Sequence, residues 1–418
     1  MSTVVKGSPY RYRWAALGFA LLCQCSSNII YQVIPPLAPL FQQDLGLTKA
    51  EVGLVSSAAS VGVWSIVLMG GLITDRFGVR KVMAFCLIAT GCIMSSMLMA
   101  NSLFFLLAVM FLSGLARGPV FPSSTKAVAE WFPARERATA MGINRLGLPI
   151  AGISAASILP AFGLAVGWRT AAAVPGLLVL ISGIAVALYY RDAPVPVLGK
   201  ASPVNVRRAM RELLHNRMLL TLSAVGFFFL FTQFALVTYL VLYFKEVALL
   251  AVIPDEATRI VAAGGYLATC HVGGAFGRIF WGLVSDRLLN GYRAIVLAMI
   301  GGISASLLAL LGIASSGWPI WLLTAIAFGC GATALGWNGV FGTLVTDTVG
   351  RKYAATGVGL SMTMTDIATI SAPPLFGFLV DMNAGYSVAY LVISLAAATG
   401  CLIALNLHRQ EKRLRTSS

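Results

Sequence analysis

Long apolar runs separated by short polar segments dominate the chain. Roughly 20 apolar residues are enough to cross a bilayer as a helix, and twelve runs reach this length. They cover residues 14–36, 50–72, 82–100, 103–131, 138–160, 170–190, 218–244, 259–284, 294–314, 319–345, 354–380 and 386–407. The connections are mostly short, so no soluble domain is expected. The pattern therefore predicts an all-α integral membrane protein with twelve transmembrane helices.

The motif Gly-x-x-x-Asp-Arg follows both the second and the eighth apolar run. Its two copies are formed by Gly71, Asp75 and Arg76 and by Gly282, Asp286 and Arg287. Because the motif recurs at the same place in each set of six runs, it indicates two homologous halves. We therefore expect six-helix bundles at residues 1–190 and 218–418, joined by a proline-containing, basic cytoplasmic linker at residues 191–217.

Composition and charge distribution set the environment and the orientation. With 58% hydrophobic and 11% charged residues, the chain cannot be a water-soluble globule. Lysine and arginine outside the apolar runs are concentrated on the side that holds both chain ends. The four exceptions are Lys49, Arg169, Lys245 and Arg259. This asymmetry predicts cytoplasmic termini, and short loops on a compact chain suggest a bacterial inner membrane. Topology explains the net charge of +15 without a nucleic-acid partner.

Motifs of enzymes and metal sites do not occur in the sequence. It contains no Walker loop, no HExxH and no GxSxG, which are the patterns that mark nucleotide, zinc and serine-nucleophile chemistry. The seven cysteines lie in apolar runs without a CxxC pair, as is usual for packing residues. We therefore predict a protein that is not an enzyme and that holds no cofactor and no metal.

Six helices, a basic linker and six helices, with GLITDRFGVRK at 71–81 and GLVSDRLLNGYR at 282–293, resemble the major facilitator superfamily over nearly the whole chain. The resemblance implies two pseudo-symmetric six-helix bundles that rock in alternating access. Glycine in the motif would allow close helix approach, and its aspartate could pair with a basic group or a helix N-terminus. We assign to this gate Gly71, Asp75, Arg76, Gly282, Asp286, Arg287, Lys126, Glu130 and Arg145. Static anchoring of the loops is the alternative.

Two further segments resemble anion transporters of this superfamily. Residues 114–142 are similar to helix 4 and the following loop of the anion:cation symporters, which carry anions, often with protons. Met110 and Arg117 stand where that family commonly has arginine and glutamate, so its charged pair is not reproduced. Residues 273–278 are similar to helix 8 of monocarboxylate transporters and oxalate:formate antiporters. That resemblance implies that Arg278 engages a substrate carboxylate.

Ionisable residues inside the apolar runs carry the candidate chemistry. Each costs about 2.5 to 3.5 kcal/mol on insertion scales, so each requires a partner, a wet cavity or a function. Those with positive charge are Arg117, Lys126, Arg145 and Arg278, and those with negative charge are Glu130 and Asp366. The surplus of positive charge would attract an anion into a low-dielectric cavity.

Of these ionisable residues, Arg278 and Asp366 are expected to lie nearest the middle of the membrane, and we predict a different role for each. A guanidinium can bind a carboxylate through two parallel bonds, so we predict that Arg278 binds substrate. A structural salt bridge to Asp366 is the alternative. An aspartate in an apolar setting can exchange a proton, which makes Asp366 the candidate for proton coupling. A packing or hydrogen-bonding role for Asp366 is the alternative.

Polar residues near these charges are further candidates for binding the substrate. Gln24, Asn28 and Gln32 recur every four residues on helix 1 with Tyr31 beside them, a stripe that requires water, substrate or another helix. His271 shares a helix face with Arg278. With Arg117 and Asn338, the complete predicted set is Arg278, Arg117, Gln24, Asn28, Tyr31, Gln32, His271 and Asn338. Interhelical hydrogen bonding and, for His271, a satisfied structural position are the alternatives.

Together these features predict a secondary transporter that moves a small organic anion, in particular a carboxylate, by alternating access with proton symport. Its expected partners are the anion, protons and the lipid bilayer, and we expect a monomer. An exporter or drug:proton antiporter of the same fold is the alternative, although a positive cavity disfavours cationic drugs. A membrane enzyme or a receptor on a transporter scaffold is disfavoured because no catalytic constellation or sensory domain is present.

Overall fold

The architecture is taken from a computed structural model, which describes residues 9–193 and 211–416. Within these ranges the chain forms helices and short turns, and no β-strand. Eleven helices are long and apolar enough to cross a membrane, and the bent pair Lys49–Ile66 and Met69–Phe77 provides a twelfth span. The all-α transmembrane prediction is therefore confirmed. Most of the predicted linker at 191–217 falls outside the described residues.

We number the twelve spans α1 to α12 in chain order. They are α1 Tyr12–Leu45, α2 Lys49–Phe77, α3 Val79–Met99, α4 Leu103–Trp131, α5 Thr139–Val166, α6 Trp168–Tyr189, α7 Arg217–Ala248, α8 Glu256–Leu288, α9 Arg293–Ile313, α10 Ile320–Val349, α11 Gly357–Met382 and α12 Gly385–Gln410. Since the number is even, both chain ends lie on one side. We call that side the terminal side and the opposite side the distal side.

Polar capping residues determine where several spans begin. The Thr48 hydroxyl accepts from the backbone N–H of Glu51, and the Glu51 carboxylate accepts from the backbone N–H of Thr48. This reciprocal pair satisfies two N–H groups at the start of α2. Asn216 and Asp255 cap α7 and α8 in the same way with one bond each. Because the caps lie outside the apolar runs, the helices extend beyond the ends predicted from hydrophobicity.

Besides the bent α2, four spans are interrupted along their length, and each of these four breaks adjoins a predicted site residue. The helical segments are Leu103–Arg117 and Val120–Trp131 in α4, Ala134–Arg145 and Gly147–Val166 at α5, Ile320–Cys330 and Asn338–Thr365 at α10, and Asn338–Thr365 and Ile367–Leu379 at α11. Arg117, Arg145, Asn338 and Asp366 therefore stand next to breaks. In α4 the cause is Pro119, which has no N–H to donate. Broken helices at membrane depth are tolerated where they line a cavity or are buried in protein.

The spans pack as two sets that meet along three helix pairs. In the first set α1 packs on α5 and α6, α2 on α4, and α3 on α6. In the second set α7 and α9 pack on α12, and α8 packs on α10. The sets touch through α1 with α7, α2 with α11, and α5 with α8. The cavity described below lies at this interface.

Buried apolar residues show that the sets are joined on the distal side. One large cluster of buried residues combines both sets and includes Phe41 and Tyr243. Towards the terminal side the buried residues form two separate clusters. One contains only residues between 16 and 190, such as Met83 and Phe132, and the other only residues from 213 onwards, such as Leu222. The apolar core is thus continuous across the interface on one side of the protein only.

Candidate functional site: an inter-set cavity

A cavity of about 190 Å³ lies between the two sets of helices. Its wall is mostly apolar, with a few polar side chains that converge on it, as is typical of small-molecule sites. Six of the predicted binding residues line it, namely Asn28, Tyr31, Gln32, His271, Arg278 and Asn338. Gln24 and Arg117 do not. No acidic residue is among the described residues that line the cavity.

Arg278 places a guanidinium at the cavity wall. It lies on α8 and is half-buried, and its Nε donates to the Leu335 carbonyl at 3.4 Å. None of the ion pairs within residues 9–193 and 211–416 includes it. The alternative of a salt bridge between Arg278 and Asp366 is therefore not realised in this conformation. Because the half-buried guanidinium has no carboxylate partner among the described residues, its charge is available to a ligand.

His271 lies about two helical turns before Arg278 on the same face of α8, and its side chain contacts the other set of helices. Its side chain is 3% exposed, and its Nε2 has no hydrogen-bond partner in the described structure. The ring packs on Gly152 of α5, where an added Cβ would come within 2.6 Å of two ring atoms. His271 is therefore an unsatisfied polar group at the interface rather than a satisfied structural histidine.

The polar stripe on α1 is divided between the cavity and interhelical bonds. Gln24 donates from Nε2 to the Ser124 hydroxyl of α4 at 2.9 Å, which is the interhelical role given as its alternative. Asn28 lines the cavity, but its Nδ2 donates to the Gln24 carbonyl at 2.7 Å. The Oε1 of Gln32 is buried without a partner among the described groups. The stripe thus supports the cavity wall more than it exposes free hydrogen-bonding groups.

Arg117 lies behind the cavity wall. It is 8% exposed, its guanidinium carbon is 4.4 Å from the centre of the Tyr31 ring, and an Nη donates weakly to Asn28 Oδ1 at 3.5 Å. Its Nε and other Nη have no partner in the part of the chain described. Its charge therefore reaches the cavity through Tyr31 and Asn28, and direct substrate contact by Arg117 stays a prediction.

Asp366 stands at the break in α11, outside the cavity lining. Its backbone carbonyl accepts from the N–H and the hydroxyl of Thr369, at 2.9 and 2.7 Å. Its carboxylate is in no ion pair within the described ranges. Asp366 lies on α11, which packs against α2 of the other set, so a change in its charge would act close to the interface between the sets. Its proton-coupling role remains a prediction.

Gln233 was missed by the sequence analysis. It lies on α7 and lines the cavity, and its Oε1 accepts from Trp337 Nε1 at 3.0 Å and from Asn338 Nδ2 at 3.4 Å. The signal was visible, because a glutamine in the middle of an apolar run requires a partner. Unlike Gln24, Asn28 and Gln32, which recur every four residues, Gln233 stands alone in its apolar run and belongs to no polar stripe.

The acidic residues of both repeated motifs form ion pairs, as predicted. In the first set Lys126 pairs with Asp75 at 2.6 Å and with Glu130 at 3.8 Å. In the second set Arg293 pairs with Asp347 at 2.6 Å and with Asp286 at 3.7 Å, a partner that the sequence analysis did not name. All these pairs lie on the terminal side and within one set. They join helical segments of the same set in this conformation, and a gating role stays a prediction.

The remaining predicted gate residues are placed differently from expectation. Arg145 stacks on Phe121, with its guanidinium carbon 4.2 Å from the ring centre. It takes no part in the ion pair between Lys126 and Glu130. Arg76 and Arg287 are exposed on the terminal side. The close helix approach predicted for Gly71 and Gly282 is wrong, because a Cβ built on either meets no heavy atom within 4 Å. On each glycine, the side that a side chain would occupy faces no neighbouring helix.

On the distal side a group of polar residues connects the two sets, and we call Lys49, Tyr239, Glu246 and Asp381 the distal lock. Lys49 forms an ion pair with Glu246. Asp381 accepts from the backbone N–H groups of Lys49 and Ala50 at 3.0 and 2.8 Å, so it caps α2 from the other set. The Tyr239 hydroxyl donates to the Lys49 carbonyl at 2.6 Å. The sequence analysis treated Lys49 only as a topological marker and missed this group.

Comparisons with known proteins agree with this architecture. A sequence model of the Major Facilitator Superfamily matches residues 20–373. A probable sulfoacetate transporter of Cupriavidus necator is 25% identical over 88% of this chain and 87% of its own length. A hexuronate transporter of Bacillus subtilis is 23% identical over 85% of each chain. These relatives are transporters and not enzymes.

A solved structure provides the same result for the fold. A bacterial homologue of the human lysosomal transporter Spinster, in an inward-facing and unoccupied conformation, superposes with a TM-score of 0.74. The match covers 95% of this chain and 96% of that chain at 16% identity. At this identity the similarity concerns the fold alone.

Proposed function

The chain belongs to the major facilitator superfamily, and we propose that it carries a small organic anion with a carboxylate group across the membrane by alternating access. It is a transporter and not an enzyme. We further propose proton symport, a monomer of two six-helix bundles at residues 1–190 and 218–418, and a bacterial inner membrane as its location. The terminal side is then cytoplasmic.

One observation supports the proposal of an anionic substrate most strongly. Arg278 lies at the cavity wall without an acidic partner among the described residues. A guanidinium binds a carboxylate through two parallel charge-assisted bonds, which fix direction as well as attraction. The cavity lies in a low-dielectric interior, where such a pair is stronger than in water. The named substrates of the two relatives, sulfoacetate and hexuronate, are also anions, which supports the same class for this chain.

Alternating access follows from the asymmetry of the interface. Across the described ranges, four of the five hydrogen-bonded contacts between the sets involve Lys49 or Ala50 at the distal start of α2. The fifth is a long bond from Trp64 Nε1 to the Thr363 carbonyl at 3.4 Å. The structure thus corresponds to a state closed on the distal side. With cytoplasmic termini, this is the inward-facing state.

Proton coupling is assigned to Asp366. Asp366 lies on α11, which packs against α2 of the other set, and its carboxylate has no ion-pair partner within the described ranges. Protonation of Asp366 would therefore change the stability of one conformation relative to the other, as coupling requires. Asp366→Asn, which imitates the protonated form, is expected to retain substrate exchange and to lose proton-driven accumulation.

Uptake into proteoliposomes with an imposed pH gradient tests the proposal. The panel contains D-glucarate, D-gluconate, sulfoacetate, glucose and the cationic dye ethidium. We expect saturable uptake of at least one acid, driven by an inward proton gradient, and none of glucose. Saturable ethidium export without uptake of any acid would support the alternative exporter and overturn the anion proposal.

A further inference from the structure

Gln233 presents a buried amide to the cavity, at a place where the described part of the chain provides no acceptor for its N–H groups. Its side chain is 8% exposed, and it lines the cavity beside Leu230, Phe234 and Val237 of the same helix. A buried amide carries two N–H donors and one acceptor oxygen. Leaving its donors without partners costs free energy, so their surroundings indicate what the site is built to hold.

The orientation of this amide is fixed by its neighbours. The indole N–H of Trp337 can only donate, so the atom that faces it at 3.0 Å must be the oxygen of Gln233. Trp337 is itself immobilised, being 1% exposed with its ring 5.5 Å from Phe229 and 5.0 Å from Phe341. Asn338 donates to the same oxygen. A flipped amide would set donor against donor, and it is therefore excluded.

The fixed orientation leaves the Nε2 of Gln233 as a free donor. Its oxygen is already bonded twice, and no acceptor for its N–H groups occurs among the described residues. The Asn28 amide on the facing wall differs, because it donates to Gln24 and accepts from Arg117. Gln233 therefore contributes a neutral donor to a cavity whose charged donor is Arg278.

Gln233 and Arg278 are connected through one backbone carbonyl. The oxygen of Leu335 accepts from Arg278 Nε and from Asn338 Nδ2, each at 3.4 Å, and Asn338 also donates to Gln233. The guanidinium and the amide thus belong to one hydrogen-bonded row along the cavity wall. A ligand whose carboxylate meets Arg278 would bring its nearby substituents towards Gln233.

We propose that Gln233 determines substrate specificity by donating from Nε2 to a hydroxyl or carbonyl oxygen that lies a few bonds from the bound carboxylate. The substrate is then a hydroxylated or keto organic acid rather than a plain aliphatic acid. Trp337 and Asn338 are positioning residues that hold the amide for this contact. The inference rests on the proposed function, since it presupposes an anion at Arg278.

Matched acids with and without hydroxyl groups test this assignment. D-Glucarate and adipate share a six-carbon chain with two carboxylates, and D-gluconate and hexanoate share one with a single carboxylate. Within each pair only the hydroxyl groups differ. Isothermal titration of the purified full-length protein in detergent provides the dissociation constants without interference from passive leak.

For the parent protein we expect at least one pair in which the hydroxylated acid binds about tenfold more tightly than its deoxy partner, as one hydrogen bond from a buried donor provides. Gln233→Leu should reduce that ratio to about one while retaining the affinity for the deoxy acid. Gln233→Glu keeps an acceptor for Trp337 but turns a carboxylate into the cavity, so it should weaken both acids. Thr232→Val, a buried polar-to-apolar change on the same helix away from the cavity, should leave the ratio at the parent value.

Trp337→Phe separates positioning from packing. It keeps an aromatic ring against Phe229 and Phe341 and removes only the N–H that orients Gln233, so the ratio between the paired acids should fall while the deoxy acid binds as before. Equal affinities within both pairs for the parent, or a ratio that persists in Gln233→Leu, would overturn the role of Gln233. Failure of the parent to bind any of the four acids would instead overturn the proposed function, and the inference with it.

Discussion

The distal and terminal sides of this protein differ in what connects the two sets of helices. On the distal side, the distal lock and one continuous apolar core join both sets. On the terminal side, the ion pairs of Lys126 and Arg293 stay within one set, and the apolar core is divided in two. The difference shows that the sealed side is determined by contacts across the interface and not by the number of ion pairs.

The ion-paired side chains on the two sides also differ in how much of them is exposed to solvent. The side chains of Lys49 and Glu246 are 13% and 32% exposed, whereas those of Asp75 and Asp286 are 68% and 67% exposed. Exposed ion pairs contribute little because water and salt screen them. The terminal pairs are therefore expected to contribute less to any conformational preference than the distal lock does.

Pairs of spin labels make the comparison measurable. One label pair, Phe104→Cys with Leu250→Cys, reports the distance between the sets on the distal side. A second pair, Phe77→Cys with Leu288→Cys, reports it on the terminal side. All four residues are exposed, and the native cysteines would be replaced in this background. Double electron–electron resonance then measures the distance distributions, from which the populations of the two conformations follow.

Glu246→Gln should have the largest effect. It removes the charge that faces Lys49 across the interface, and a hydrogen bond to a charged group contributes about 1.5–3 kcal/mol. The distal-closed state should lose roughly 10- to 150-fold in population, with longer distal and shorter terminal distances. Glu256→Gln is the matched control, because its partner Lys245 belongs to the same set. Unchanged distances in Glu246→Gln, or equal shifts in the control, would contradict the lock.

Gly53→Ala should have the next largest effect. A Cβ at Gly53 would lie 2.5 Å from the Pro373 carbonyl group and from the Tyr239 hydroxyl of the second set. Overpacking of this kind costs about 1–3 kcal/mol and should likewise separate the distal ends. Gly18→Ala is the control, since a Cβ there meets nothing within 4 Å. Identical distance distributions in the two variants would show that the distal helices are not in close contact.

Lys126→Met should have the smallest effect. It removes two partly exposed pairs within the first set, which contribute about 0.2–1 kcal/mol each at such exposure. We expect a slightly lower melting temperature and less than about a fivefold change in conformer population. A shift as large as that of Glu246→Gln would reveal that Lys126 bridges the two sets, and the contrast between the sides would then be lost.

The sequence was sufficient for the twelve spans and for most of the cavity because those signals are local. A charge or an amide inside an apolar run is conspicuous wherever the helix packs, and this is why Arg278, His271 and Asn338, which line one cavity, could be named as candidates from the sequence. Gln24 and Arg117 show the limit of this reasoning. They have the same local signal, but their neighbours Ser124 and Tyr31 come from packing that the sequence does not display.

The distal lock could not be predicted for a different reason. Lys49, Glu246 and Asp381 each stand near a helix end, where charged residues are ordinary, and nothing local distinguishes them. Lys49 of α2 contacts Glu246 of α7 and Asp381 of α11, which lie far from it in the chain. These contacts depend on how closely the three helices approach. The same dependence explains the error for Gly71. A Cβ built on its neighbour Gly70 would lie 3.1 Å from the Cα of Pro119, and which side of a helix meets a neighbouring helix is decided by tertiary packing.

Counterflow in proteoliposomes tests the central claim, an anion held by Arg278 between the two sets, most directly. Vesicles preloaded with an unlabelled acid from the uptake panel exchange it for external labelled acid, without any requirement for a proton gradient. The parent protein and the control Arg217→Gln, an exposed arginine at the start of α7, should accumulate label transiently. Arg278→Gln should reduce the exchange rate by at least about 100-fold, as expected for loss of two parallel charge-assisted hydrogen bonds of about 1.5–3 kcal/mol each. Exchange by Arg278→Gln at the parent rate would contradict the account.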